Sequence, residues 1–164
     1  RALPKMEPRN KELARNDAQY RNVMFTGRGV NDPIALEGAL KLKEISYLHT
    51  EGTSGGELKH VAIALLDETF PVVAICTNAP TREKMVSNVH EMAAREAPVL
   101  ALVTEGDRSL NKIATDILVM PFADEFAGAL LNTVALQLFA YHVAVALGTN
   151  VDQPRNLAKS VTVE

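Results

Sequence analysis

The chain has 164 residues, 47% of them apolar, which suits one domain of ordinary size with a sizeable core. A formal net charge of -3 argues against nucleic-acid binding, which needs a basic stripe, but leaves room for a local site for an anion. One cysteine, Cys76, excludes an intrachain disulfide and points to a reducing compartment, read as the cytoplasm. No apolar run is expected to approach the roughly 18 residues needed to span a bilayer. The chain starts at Arg1 without an apolar signal segment, and it is expected to be a piece of a longer protein.

Residues 1–20 are charged, carry Pro4 and Pro8, and hold too few apolar positions for a core helix. They read as a linker ending in a surface helix. Asn22–Thr26 is a short apolar strand closed by Gly27-Arg28-Gly29. Pro33 suits the first turn of a helix that runs to about His49, with Leu36, Ala39, Leu40 and Tyr47 in register. Glu51–Gly56, rich in Gly, Ser and Thr, reads as a loop.

Pro71–Cys76 and Pro98–Val103 are continuous apolar runs of the kind that form fully buried strands. Between them, Thr81–Arg95 is a helix with Met85, Val89 and Met92 on one face. A short helix is expected at Ser109–Ala114, a last strand at Asp116–Met120, and a long apolar helix over Glu125–Leu147 ended by Gly148. Buried strands alternating with helices predict an α/β fold with a parallel sheet covered on both faces, a flavodoxin-like three-layer sandwich. Such sheets take ligands beyond the carboxyl ends of their strands, so Gly27–Asp32, Cys76–Thr81 and Thr104–Asp107 are the loops of interest.

Three segments carry candidate chemistry. On the first helix, Glu37, Lys41 and Glu44 are spaced by four and then three and share one stripe. Such a stripe is either a solvated face held by i,i+4 pairs, each worth about 0.2–0.5 kcal/mol, or a carboxylate and an ammonium lining a cleft for proton transfer. His60 and Lys59 follow Gly55-Gly56 in a flexible segment. His49 ends a helix and suits its negative pole, and His90 and His142 read as packing or surface residues. No pair of histidines has metal-ligand spacing, and no metal or cofactor is expected. Gly27-Arg28-Gly29 lacks the third glycine of a dinucleotide fingerprint, and Pro80 removes a donor from any phosphate cradle at Cys76–Thr81. The tail from Asp152 to Glu164 is poor in core-forming residues. If it docks in a closed site, burial would make Lys159 a neutral amine able to attack a carbonyl.

Together these segments resemble one family. Its signatures are Ala35-Leu-Glu-Gly-Ala-Leu-Lys-Leu-Lys-Glu-Ile-Ser-Tyr, then Glu51 with Gly56-Glu-Leu-Lys-His, and the ending Asp152-Gln-Pro-Arg-Asn-Leu-Ala-Lys-Ser-Val-Thr-Val-Glu. The chain is similar, from Asn22 onward, to the C-terminal sugar-isomerase (SIS) domain of glutamine–fructose-6-phosphate aminotransferases. The resemblance implies residues 1–20 as linker, 21–153 as SIS domain and 154–164 as a catalytic tail. It implies a cytoplasmic enzyme part that makes glucosamine 6-phosphate from fructose 6-phosphate. It assigns Glu44 to enolisation, Lys41 to oxygen-bound protons beside it, His60 to ring opening in a neighbouring subunit, and Lys159 to the Schiff base. Glu37 and Ala158 would contact substrate.

The implied partners are the protein's own upstream SIS and glutaminase domains and a second copy in a homodimer, with no nucleic acid and no membrane. The phosphate-holding loop of that family lies in the first SIS domain, so this chain alone is not expected to complete the reaction. One departure stands out: the family carries Gly-Pro after the Lys-His pair, where this chain has Val61-Ala62, which alters the backbone allowed after His60. The alternative reading is an SIS module that senses phosphosugars without chemistry. A third is a structural dimerisation domain using the long apolar helix.

Overall fold

The structure, a computed structural model, describes residues 3–156 except Val61, and side chains from Glu7 onward. In chain order it forms α1 (Leu3–Asp17), β1 (Asn22–Gly27), α2 (Asn31–Ser46), β2 (His49–Ser54), a single 3-10 turn (Ile63–Leu65), β3 (Val72–Cys76), α3 (Arg82–Ala93), β4 (Val99–Thr104), β5 (Asp116–Met120) and α4 (Glu125–Ala146). The five strands make one sheet in the order β2-β1-β3-β4-β5. Every neighbouring pair is parallel. This is the doubly wound order expected from the strand–helix alternation.

The sheet divides two cores. On one face Val23, Phe25, Val73, Ile75, Leu100 and Leu102 meet Ala35, Ala39 and Leu42 of α2, Leu136, Phe139 and Val143 of α4, and Leu13 of α1. On the other face Met24, Val72, Ala74, Val99 and Ala101 meet Met85, Val89 and Met92 of α3, together with Leu58, Ala62 and Leu66 from the β2–β3 connection. Strands β3 and β4 are buried along their whole length, which is why they read as unbroken apolar runs rather than alternating ones.

Four expectations are corrected. Residues 51–54 are not loop but part of the edge strand β2, paired in register with Met24–Gly27. The segment is rich in small residues because helix α2 lies directly on it: a Cβ on Gly52 would stand 2.8 Å from the Leu36 Cα. Residues 109–114 form consecutive turns rather than a helix, anchored by the buried Leu110.

Helix α1 is not a surface helix, since Asn10, Leu13 and Ala14 are fully buried. It packs mainly on α4. Three inward positions suffice because α4 presents an almost wholly apolar surface. Lastly, α4 is long and apolar enough to cross a membrane by length and composition. It is a core helix here, with Ala135, Leu136, Phe139, Ala140 and Val143 buried in the first core.

Candidate functional site: an acid–ammonium stripe on helix α2

Helix α2 ends at Tyr47, whose left-handed backbone (φ 64) closes the last turn through its N–H to the Lys43 carbonyl. His49 therefore begins β2 instead of ending the helix. With Ala35, Gly38, Ala39, Leu42 and Ser46 turned inward, the 3.6-residue period turns Glu37, Lys41 and Glu44 outward. The Lys41 ammonium stands 2.6 Å from Glu44 Oε2 and 3.9 Å from Glu37 Oε1. All three side chains are about one-third exposed, so they share a shallow, partly desolvated strip. The hydrogen bond to Glu44, with help from the charge of Glu37, holds the Lys41 amine above its ordinary pKa in spite of burial. Lys41 is thus a fixed ammonium. It is suited to donating to an oxygen and unsuited to attacking a carbonyl.

His60 does not join this stripe within one chain. It is exposed in the turns after β2, its backbone N–H bonded to the Glu57 carbonyl. Its neighbours Leu58 and Ala62 belong to the core beneath α3, whereas α2 belongs to the core on the opposite face. Helix α2 also carries its stripe away from the carboxyl edge of the sheet, since the rise from Asn31 to Glu44 is about 20 Å. Lys59, beside His60, is paired with Glu91 at 2.8 Å. Ala158, Lys159 and Val61 lie outside the described residues. Ala62 is buried in the second core.

Two residues beyond those expected from the sequence connect the tail to the stripe. The backbone N–H of Arg155 donates to Tyr47 Oη at 2.8 Å. The Arg155 guanidinium lies 4.2 Å from the centre of the Tyr47 ring, a cation–π contact. The chain therefore passes over the end of α2 one turn beyond Glu44. Tyr47 was visible in the sequence only as an apolar position in register.

The carboxyl-edge crevice between β1 and β3 is filled by the protein's own side chains. Asn132 of α4, 1% exposed, donates to Asn31 Oδ1 (2.9 Å) and Thr77 Oγ1 (2.8 Å). Thr104 accepts from the Asn78 N–H at 2.8 Å. Arg82 clamps Asp107 and Ser109 across the next loop. Burial raises the Asp107 carboxyl, but the Ser109 amide, the Arg82 guanidinium and the Ser109 hydroxyl outweigh it and hold it below its ordinary value. The cavity left there is about 10 Å³, room for roughly one water. Around Asn31, Thr77, Asn78 and Thr104 the loops singled out from the sequence thus form a closed polar seam. The signal for it was a lone asparagine inside an apolar helix.

A five-stranded parallel sheet in this order, with three helices on one face and α3 on the other, defines a doubly wound α/β scaffold, and the family model for the SIS domain matches residues 18–147. The chain belongs to the SIS domain family. Among individual proteins it is 50% identical over 94% of its length to glutamine–fructose-6-phosphate aminotransferase (isomerizing) of Chlorobaculum tepidum. It is 54% identical over the same share to the enzyme so named in Methanosarcina acetivorans. It spans about 25% of the length of either relative.

Among solved structures, the C-terminal domain of glucosamine-fructose-6-phosphate aminotransferase from Francisella tularensis superposes with a TM-score of 0.85 and 35% identity, covering 93% of this chain and 43% of that one. The Vibrio vulnificus NanR protein complexed with ManNAc-6P shares the fold at a TM-score of 0.65 and 15% identity, over 89% of this chain and 58% of that one.

Proposed function

We propose that this chain is the second SIS domain of the isomerase half of a cytoplasmic glutamine–fructose-6-phosphate aminotransferase, which converts fructose 6-phosphate to glucosamine 6-phosphate with ammonia from glutamine. The observation that carries the reading is the Lys41–Glu44 pair on the outer face of α2, with the incoming tail tied to Tyr47 one turn away. Glu44 is the enolisation base, moving a proton between C1 and C2 of the sugar imine on one face. Lys41, held as an ammonium, stabilises charge on the neighbouring oxygen. Glu37 and Ala158 contact substrate.

Lys159 supplies the amine of the Schiff base. It lies three positions beyond Asn156, the last described residue, a reach of at most about 11 Å. His60 opens the sugar ring in the site of a second copy. This role is supported by its exposure on the opposite face of the sheet from Glu44, where it cannot serve its own stripe. The working assembly is then a homodimer that includes the upstream SIS and glutaminase domains, and the 164-residue chain alone does not complete the reaction.

The test uses a longer protein carrying the upstream domains. Conversion of fructose 6-phosphate to glucose 6-phosphate should proceed in the parent and fall by at least a hundredfold in Glu44→Gln. Borohydride in the presence of fructose 6-phosphate should leave a hexose phosphate adduct on the tryptic peptide containing Lys159. Turnover in neither form, with no adduct, would favour a sensing module over an enzyme.

A further inference from the structure

Helix α3 turns Lys84, Ser87, Asn88 and Glu91 to one side, at spacings of three, one and three. Facing them are Gly55, Gly56 and Lys59 from the turns after β2, with Arg28 closing one end, and the cleft between measures about 240 Å³. The glycine at 55 lets this loop close down, because a Cβ there would stand 2.9 Å from Met85 Sδ and 3.0 Å from Arg28 Cγ. The Arg28 guanidinium is held in place from one edge only: Nε donates to Asn88 Oδ1 at 2.8 Å and Nη2 to the Gly55 carbonyl at 2.7 Å. Both acceptors are neutral, so the positive charge is positioned but not compensated. Its Nη1 has no partner among the described residues.

The charges in the cleft can be counted. Lys59 and Glu91 neutralise one another at 2.8 Å. Neither Arg28 nor Lys84 has a carboxylate within salt-bridge distance among the described residues. Two uncompensated cations therefore share one concave surface, on a chain whose net charge is -3. A fixed guanidinium offering free N–H donors beside a mobile ammonium is the donor set that suits a phosphate group. Two positive charges match its dianion. The cleft is also much larger than a phosphate, which leaves space for a small organic body attached to it.

We infer that the cleft formed by Arg28, Gly55, Gly56, Lys84 and Asn88 binds a small phosphate monoester. It lies on the α3 face of the sheet, apart from the α2 stripe, and does not depend on the isomerase reading. The test is a titration of the 15N-labelled 164-residue chain at constant ionic strength with glycerol 3-phosphate, inorganic phosphate and glycerol. Glycerol 3-phosphate should give saturable amide shifts at Gly55, Gly56, Lys84 and Asn88, with Lys41 and Glu44 unmoved. Lys84→Ala, at an exposed position, should weaken binding about tenfold without altering the rest of the spectrum. Arg28→Lys, which keeps the charge but loses the fork, should weaken it as well. Glycerol should do nothing. The proposal is overturned by an absence of saturation, by equal shifts at lysines across the surface, by unchanged affinity in Lys84→Ala, or by inorganic phosphate binding as tightly as the monoester.

Discussion

Replacing Asp17 with Asn should stabilise the protein at neutral and alkaline pH and do nothing at pH 4. Asp17 ends helix α1, and its carboxyl group has no hydrogen-bond partner among the described side chains. Burial first, and the charge of Asp116 second, push its pKa up to about 7. The folded state therefore binds a proton that the unfolded state has released. Stability from this source is fully present below the unfolded value of 3.8 and is lost as pH rises toward 7. A shift of roughly three units at 1.36 kcal/mol each sets a ceiling of about 4 kcal/mol above pH 7.

Asp116 is itself paired with Arg9 at 2.6 Å, which softens its repulsion. Relaxation around a half-buried group lowers the figure further, so a gain of about 2 kcal/mol at pH 8 is expected. The negative pole of α1 adds a few tenths in the same direction. Urea denaturation of the parent and Asp17→Asn at pH 4, 6 and 8 measures the difference directly. A difference that is constant with pH, or that grows toward acid, would refute the assignment of a protonated Asp17.

His142 behaves in the opposite sense. Burial holds its pKa below the ordinary 6.5, against the pull of Glu7, so the unfolded chain takes up a proton first and stability falls as pH drops below about 6.5. His142→Gln should flatten that loss in melts between pH 7 and 5. Gly52→Ala should cost about 2 kcal/mol or more in urea denaturation, because the added methyl group meets the Leu36 backbone Cα at 2.8 Å as well as its Cδ2 at 2.7 Å, and rotating the side chain away leaves the backbone clash in place. A cost under 0.5 kcal/mol would mean that α2 is not seated as described. Asn132→Leu should lower stability by about 2 kcal/mol, since Asn31 and Thr77 lose a shared buried donor. Differential scanning calorimetry of parent and variant would show it as a drop in Tm.

Much of the fold was legible from the chain itself. Strand β3, and β4 up to its last residue Thr104, are apolar throughout because both of their faces are covered, and α3 shows its inward face as Met85, Val89 and Met92. Strand β2 was hidden because it sits at the sheet edge beneath α2, where close packing selects small residues that otherwise mark loops. Helix α1 was hidden because its burial depends on the apolar surface of α4, more than a hundred residues away.

The site divides in the same way. The spacing of Glu37, Lys41 and Glu44 is local, so the sequence by itself determined that they share a face of α2. Only the tertiary structure decided that His60 stands across the sheet from them, that Arg155 ties the tail to Tyr47, and that the carboxyl-edge crevice is sealed by Asn132. Helical period is set by backbone geometry within a few residues. Which faces meet is set by strand order and crossovers, and these link positions that the chain keeps far apart.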